Sequence, residues 1–243
     1  MALTVVSLET LRNLLATIPH RPVRLLTAGY PDLLLPRDYI SQAFGPAFAD
    51  KLQVRPDSDA IIRWHNVGKV VDKIYETRQF FALLGVEVTF LDIVQVRGDE
   101  VLQDLNGPLK PELAQQFDIV YDGGTMEHCF NVAQGIANLL GMAKVGGYIV
   151  HSNPFNLPNH GFFNFNPTFY ADFYEDNGHT LVEQIRAIAN GIFDRGFVVV
   201  PKTARFKSSL PEATLMVVAQ KQNDYPPIWP TQTKYKKNPS LAG

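Results

Sequence analysis

Residues 117–153, FDIVYDGGTMEHCFNVAQGIANLLGMAKVGGYIVHSN, constrain the fold more than any other stretch. The apolar run Ile119, Val120, Tyr121 stops at Asp122-Gly123-Gly124. Val132, Ile136, Leu139, Leu140 and Ala143 then recur at helical spacing on one face. Asn131 can cap that helix, because its side chain accepts an orphan backbone N–H. Val145-Gly146-Gly147 reads as a turn, and a second apolar run ends at His151. Short continuous apolar runs suit strands buried on both faces. Two parallel strands joined by one helix form a right-handed crossover. The polar residues gather where the strands stop, the edge at which open α/β sheets bind ligands.

The chain has 243 residues, enough for one domain that removes roughly 70–75% of the unfolded chain's surface from water. Its 22 basic and 24 acidic residues give a net charge of −2, which offers no general attraction to nucleic acid or anionic membrane. The single cysteine, Cys129, excludes an internal disulfide and reads as a small packing residue. No apolar run approaches the roughly 18 residues of a membrane span, and the N-terminus has no signal-peptide layout. These features predict a cytoplasmic protein.

Upstream, Leu8, Leu11, Leu14, Leu15 and Ile18 predict a helix over 7–18 with Ser7 as cap. Val23 to Thr27 predict a first strand leading into Ala28-Gly29-Tyr30-Pro31-Asp32. Residues 33–68 read as an insertion, with a short helix from Asp38 to Phe44, a turn at Arg55 to Asp59 and a short extended piece or loop from Ile61 to Asn66. A helix over Lys69 to Leu84 ends at Gly85, and Val86 to Ile93 form a strand closing on Asp92. Val101 to Asp104 is a brief strand, and Pro111 to Gln116 a helical turn. After His151 an Asn-, Pro- and Phe-rich loop leads to a helix begun by Asn166-Pro167. Leu181 to Ala189 suit a short helix or strand. Phe197 to Phe206 and Thr214 to Gln220 read as a hairpin turning through Ser208-Ser209. The tail from Gln222 carries Pro226, Pro227, Pro230 and Pro239 and reads as irregular or laid on the surface. Alternating strands and helices closed by a hairpin imply an α/β sheet, mostly parallel, with an antiparallel edge.

The succession of Asp92 after the second strand, Asp104 after the third, FDIVYDGGTMEH on the fourth and VGGYIVHSNP on the fifth resembles the class I S-adenosylmethionine-dependent methyltransferases. The resemblance covers residues 23–221. It implies a Rossmann-like, seven-stranded, mostly parallel sheet with an antiparallel C-terminal hairpin and helices on both faces. It further implies one domain over 1–221, with the 33–68 insertion, an aromatic cap over 153–178 and a Pro-rich tail over 222–243. The implied cofactor is S-adenosylmethionine. By position, Asp92 would accept hydrogen bonds from the ribose diol, with Ile93 beside it. Asp104 and Leu105 would flank the adenine. Asp122 and Gly123 would lie under the methionine part, and Glu127-His128 near the substrate mouth, with Glu127 counted among the cofactor contacts. The chain departs from the family where the first strand ends. LLTAGYPD has the single glycine Gly29, Thr27 where an acid is expected, and Pro31 with no N–H. Either Gly29 and Asp32 form an altered turn that still holds the amino-acid end, or the pocket has changed use.

His151, His128 and His160 are the acid/base candidates, since imidazole titrates near neutrality. His151, at a strand end, stands first. No H-x-x-x-H or Cys/His spacing occurs, so no metal site is expected. The aromatic residues Phe155, Phe162, Phe163, Phe165, Phe169, Tyr170, Phe173 and Tyr174 suit a substrate pocket, a second small core or a homodimer contact. Trp64 can add a wall from the insertion. Two functions follow: methyl transfer to a hydroxyl or amine of a small molecule, ring-bearing or sugar-like, or ligand or partner binding without transfer.

Overall fold

The computed structural model describes residues 1–189, 197–208 and 210–237. The expected turn at Ser209 and the tail's Pro239 lie outside the described residues. In chain order the elements are β1 (Ala2–Leu3), α1 (Val5–Thr17), β2 (Val23–Ala28), β3 (Asp32–Leu33), α2 (Arg37–Phe44), α3 (Pro46–Ala49), α4 (Ser58–His65), α5 (Thr77–Leu83), β4 (Val86–Asp92) and β5 (Val101–Leu102). They continue with β6 (Phe117–Asp122), α6 (Val132–Met142), β7 (Ala143–Pro154), α7 (Pro167–Asp176), β8 (Thr180–Leu181), β9 (Arg186–Ala189), β10 (Phe197–Val199), β11 (Ala213–Gln220) and α8 (Thr233–Lys236).

A nine-stranded sheet runs in the order β10, β9, β11, β7, β6, β2, β4, β5, with β8 also paired to β11. From β7 to β5 all neighbours are parallel; beyond β7 the strands β11, β9 and β10 alternate antiparallel. The sheet is therefore mixed and carries more strands than the expected seven. The expected hairpin also differs, because β9 lies between β10 and β11. Burial explains the order. Ala187 and Ile188 of β9 are buried, whereas Phe197, Val198 and Val199 of β10 are exposed at the rim.

Residue alternation along the strands builds two cores. Leu25, Ile119 and Val150 face α1, α2 and α5. Their neighbours Leu26, Val120 and Ile149 face α6 and α7. This is the period-two rule acting on strands with both faces covered. Helix α1 buries Leu8, Leu11, Leu14 and Leu15 as its spacing predicts. Its N-cap is Thr4, not Ser7, and Ser7 is buried inside the helix.

Three local expectations give way to tertiary contacts. Ile61 to Asn66, with its adjacent β-branched residues, reads as extended or loop, yet it belongs to α4, which Asn66 ends at φ 53°. The helix expected over 69–84 is only α5. Val71 and Ile74 are buried, but in a small third core with Leu34, Ile61 and Val67. The backbone of Ile74 and Glu76 is tied to residues 53–55 instead, through Arg55 N–H to Ile74 O (2.8 Å) and Glu76 N–H to Gln53 O (2.8 Å). The Gly146-Gly147 turn lies inside β7, where the register with β6 shifts between Phe117 and Ile119.

The Pro-rich tail is laid on α7. Ile228 N–H donates to Asn177 Oδ1 (2.7 Å) and Thr233 N–H to Asp172 Oδ2 (2.9 Å). No described helix is long and apolar enough to cross a membrane.

Asp118 clamps the lower end of the parallel strands. It accepts Arg24 N–H (2.8 Å) from β2 and Lys144 Nζ (2.7 Å) from β7, with His20 Nε2 at 3.2 Å. Burial alone would raise its pKa, but the bonds from Lys144, the Arg24 N–H and His20 outweigh it and hold the carboxyl below its usual range. Its contribution to stability is thus present above about pH 4 and lost as pH falls through the lowered value. Asp118→Asn should cost about 1–3 kcal/mol at pH 7 in urea denaturation, with the deficit shrinking below about pH 4. An equal deficit at pH 7 and pH 2.5 would show that the carboxylate charge is not what matters.

Candidate functional site

The strand order reverses at β2. The chain moves outward through β4 and β5, then returns to lay β6 and β7 on the other side. The loops at the carboxyl ends of β2 and β6 diverge there and leave a crevice, as at the switch point of any open α/β sheet. A cavity of about 670 Å³ opens in it, within the range of small-molecule sites. Its walls include Gly29, Asp32, Asp92, Ile93, Asp104 and Leu105. Six of the nine residues expected to bind cofactor therefore share one cavity.

Asp92 and Asp104 are arranged alike. Asp92 Oδ1 accepts Ile93 N–H (2.7 Å), and Asp104 Oδ1 accepts Asn106 N–H (2.8 Å) and Asn106 Nδ2 (2.9 Å). The backbone and side-chain bonds from Asn106 lower the Asp104 pKa. Each carboxylate is held through one oxygen by its own turn, and among the described residues Oδ2 has no protein partner. Leu105 is buried beside them and Ile93 is exposed on the wall.

The first-strand turn keeps its glycine for a reason. Gly29 has φ +96°, and its N–H extends the ladder to Leu91 O (2.6 Å). Tyr30 does not fill the crevice. Its ring lies on Phe90 (4.1 Å between centroids), and its hydroxyl donates to Glu76 (3.0 Å). Arg97 covers the Tyr30 ring at 4.0 Å. Asp32 is closed off by Arg55 Nη1 (2.7 Å) and His65 Nε2 (3.0 Å), so it joins the insertion to the first strand. Residues 55–64 thus form part of a wall, and from it Trp64, 85% exposed, faces the cavity.

Asp122, Gly123 and Glu127 lie outside this cavity. Asp122 is fully buried. It accepts the N–H groups of Thr125 (3.0 Å) and Met126 (3.2 Å), and its Oδ2 meets His151 Nδ1 (3.0 Å) and Asn153 Nδ2 (2.9 Å). At Gly123 a Cβ would stand 2.6 Å from the Tyr121 ring, so its close approach is to protein, not ligand. His151 is also fully buried, with Nε2 bonded to Tyr174 Oη (2.6 Å). Strand β7 runs on to Pro154, and alternation turns His151 toward α7 and away from both cavities. It lines neither and cannot meet a ligand there.

A second cavity of about 430 Å³ adjoins the first and is lined by Glu127, His128, His160, Gly123, Ser152 and Leu157. Met1, Trp64, Gly124 and His128 line both. Glu127 is buried, and burial, then the charge of Asp122, push its pKa up to about 7. Its Oε2 accepts Asn153 Nδ2 (3.0 Å), while Oε1 has no hydrogen-bond partner among the described residues. His160 Nε2 lies 3.5 Å from Oε1 and His128 Nε2 3.9 Å. Burial, then His160, lower the His128 pKa. Burial, then Asp122, push the Cys129 thiol up to about 11, which fits packing rather than reactivity.

The aromatic segment takes the role of a second core. Phe165, Tyr170, Phe173 and Tyr174 are buried under α7, with Phe155, Phe163 and Phe169 against them. None lines either cavity; only Phe162 is exposed, edge-on to Phe130. Sequence reasoning missed Arg97, Arg55 and Thr125 on the larger cavity, since no spacing marks them. It also missed the convergence of Glu127 with His160.

No family model matches the sequence, and no curated protein matches it. Among solved structures the chain is similar to the CMeT domain of the citrinin polyketide synthase, at 10% identity and a TM-score of 0.45 over 86% of this chain. It spans about half (50%) of that chain's length. It is likewise similar to the Burkholderia thailandensis 1,6-didemethyltoxoflavin-N1-methyltransferase bound to 1,6-didemethyltoxoflavin and S-adenosylhomocysteine, at 15% identity and a TM-score of 0.45, over 87% of this chain and 78% of that one. The [4+2]-cyclase SpnF matches at 12% identity and a TM-score of 0.45, over 89% of this chain and 81% of that one.

The buried and cavity histidines should separate in stability. His151→Ala leaves the buried Tyr174 hydroxyl without its partner and takes one bond from Asp122, whose Oδ2 keeps only Asn153, and should cost about 3 kcal/mol in denaturant unfolding. His128→Ala and His160→Ala, half-exposed positions, should stay within about 0.5 kcal/mol of the parent. A His151→Ala protein as stable as the parent would mean that the Asp122 network does not hold the strand ends.

Proposed function

We propose that the chain is an S-adenosylmethionine-dependent methyltransferase, with the cofactor in the larger cavity and a small-molecule hydroxyl or amine presented from the smaller one. The observation that carries this reading is the pair of strand-end carboxylates, Asp92 and Asp104. Each is oriented by its own turn and, among the described residues, retains an unpartnered oxygen on one open cavity wall. Asp92 offers that oxygen to a ribose diol. Asp104 and Leu105 supply a polar edge and an apolar face for adenine. Arg97, stacked on Tyr30 beside the first-strand turn, supplies a cation for the amino-acid carboxylate. Gly29 bounds the same end without a side chain.

When bound, the cofactor supplies an electrophilic methyl group on a sulfonium. The protein's part is to align an acceptor and to keep water out. The wall shared by the two cavities, Met1, Gly124, His128 and Trp64, is where donor and acceptor would meet. Glu127, His128 and His160 are ionisable groups lining the smaller cavity, and the acceptor's proton departs on that side. Hydroxyl or amine, ring-bearing or sugar-like, the acceptor would lie against the exposed Trp64 ring.

Binding without transfer is favoured by one observation. The acidic residue of the altered first-strand turn, Asp32, is already paired with Arg55 and His65 and is not available to an α-amino group. The larger cavity stays open all the same, because Tyr30 is docked on Phe90.

S-adenosylhomocysteine should bind with measurable heat, raise the melting temperature and change the fluorescence of Trp64. Asp92→Ala should weaken it at least about tenfold, equivalent to roughly 1.4 kcal/mol. No heat and no thermal shift at millimolar ligand would remove the cofactor from this cavity. Binding with unchanged affinity in Asp92→Ala would remove the ribose from Asp92.

A further inference from the structure

Glu127, His128 and His160 each offer a ligand atom, and the three atoms lie within 4.8 Å of one another. Glu127 Oε1 is 3.5 Å from His160 Nε2 and 3.9 Å from His128 Nε2. Ligands about 2.1 Å from a tetrahedral ion stand about 3.4 Å apart. Closing the cluster around an ion therefore asks the widest pair, no more than 4.8 Å apart, to close by about 1.4 Å at most, and both imidazoles are half-exposed.

A second observation points to a ligand. The Glu127 side chain is fully buried, yet Oε1 has no hydrogen-bond partner among the described residues. A buried carboxylate oxygen facing two imidazoles is costly unless something cationic completes it. The surroundings keep it there. Oε2 is fixed by Asn153 Nδ2 (3.0 Å), and Asn153 Oδ1 accepts the Tyr170 hydroxyl (2.6 Å). The loop carrying His160 is pinned to the same residue by Phe162 N–H to Glu127 O (2.8 Å). Gly161 makes this contact possible, since a Cβ there would stand 2.8 Å from Glu127 O.

We propose that Glu127, His128 and His160 bind one divalent transition-metal ion at the floor of the smaller cavity. Two imidazoles and one carboxylate suit zinc, iron(II) or cobalt(II), and disfavour magnesium and calcium. Three protein ligands leave coordination open toward the cavity, the pattern of sites that bind substrate rather than of closed structural ones. Asn153 is the outer group that holds the carboxylate. The ion would take an oxygen donor from the molecule in that cavity, such as a phenol or a hydroxyl beside a carbonyl. That this molecule is the methyl acceptor rests on the reading above; the ion's binding does not.

The test uses the untagged full chain, without S-adenosylhomocysteine. Calorimetry with zinc should give one site at micromolar affinity or tighter, and cobalt(II) should give the intense visible absorption of a low-coordinate site. Magnesium should produce neither. His160→Ala, on an exposed loop, should weaken zinc at least about tenfold with an unchanged melting temperature, and Glu127→Gln should do the same. Absence of a site in the parent overturns the proposal, as does zinc bound equally by the parent and by both variants. Because S-adenosylhomocysteine is titrated separately, loss of one result leaves the other standing.

Discussion

The arrangement depends on one buried carboxylate. Asp122 lies at the end of β6, opposite His151 in the β6–β7 ladder, and has no exposure to water. A charge-bearing group in that position persists only if each oxygen is satisfied. One oxygen takes the two N–H groups that begin the 125–128 turn; the other takes His151 and Asn153. His151 passes the link to Tyr174 and Asn153 passes it to Glu127 and Tyr170. One side chain thus joins β6, β7, α7 and the turn bounding both cavities. Thr125, held in that turn, donates in addition to Ala28 O at the end of β2.

The sheet was legible because its strands are continuous apolar runs between Gly, Asp and Asn, and burial on both faces leaves few other readings. The carboxylates at the ends of β4 and β5 were legible for the same reason. His151 reads as a strand end because polar residues begin there. In the structure β7 continues to Pro154, and the polar residues Asp122, His151 and Asn153 satisfy one another inside the fold. The aromatic segment leaves three readings open from its residues alone, and the structure shows the second core. Helix α7 uses its rings to cover the strands.

What the sequence hid was long-range pairing. Nothing in the spacing of Glu127 and His160 announces that one backbone bond, Phe162 N–H to Glu127 O, brings their side chains together. The insertion behaves alike. Arg55 has an ordinary turn context, yet it is buried and bridges Asp32 and Asp57. Val71 and Ile74 carry helical spacing, but Ile74 O and Glu76 N bond to residues 53–55 instead. Local propensity decides such segments only where no tertiary partner competes.

The wall between the two cavities has a thermodynamic meaning. Met1, Trp64, Gly124 and His128 face both spaces, so wherever both are filled the same atoms serve two occupants. An occupant that repositions the Trp64 or His128 ring changes the shape offered to its neighbour. Linkage makes the effect mutual: whatever factor the first guest imposes on the affinity of the second is returned unchanged. Order of arrival at this fold is thereby a matter of concentration and rate, while the stability of the doubly filled state is common to both routes.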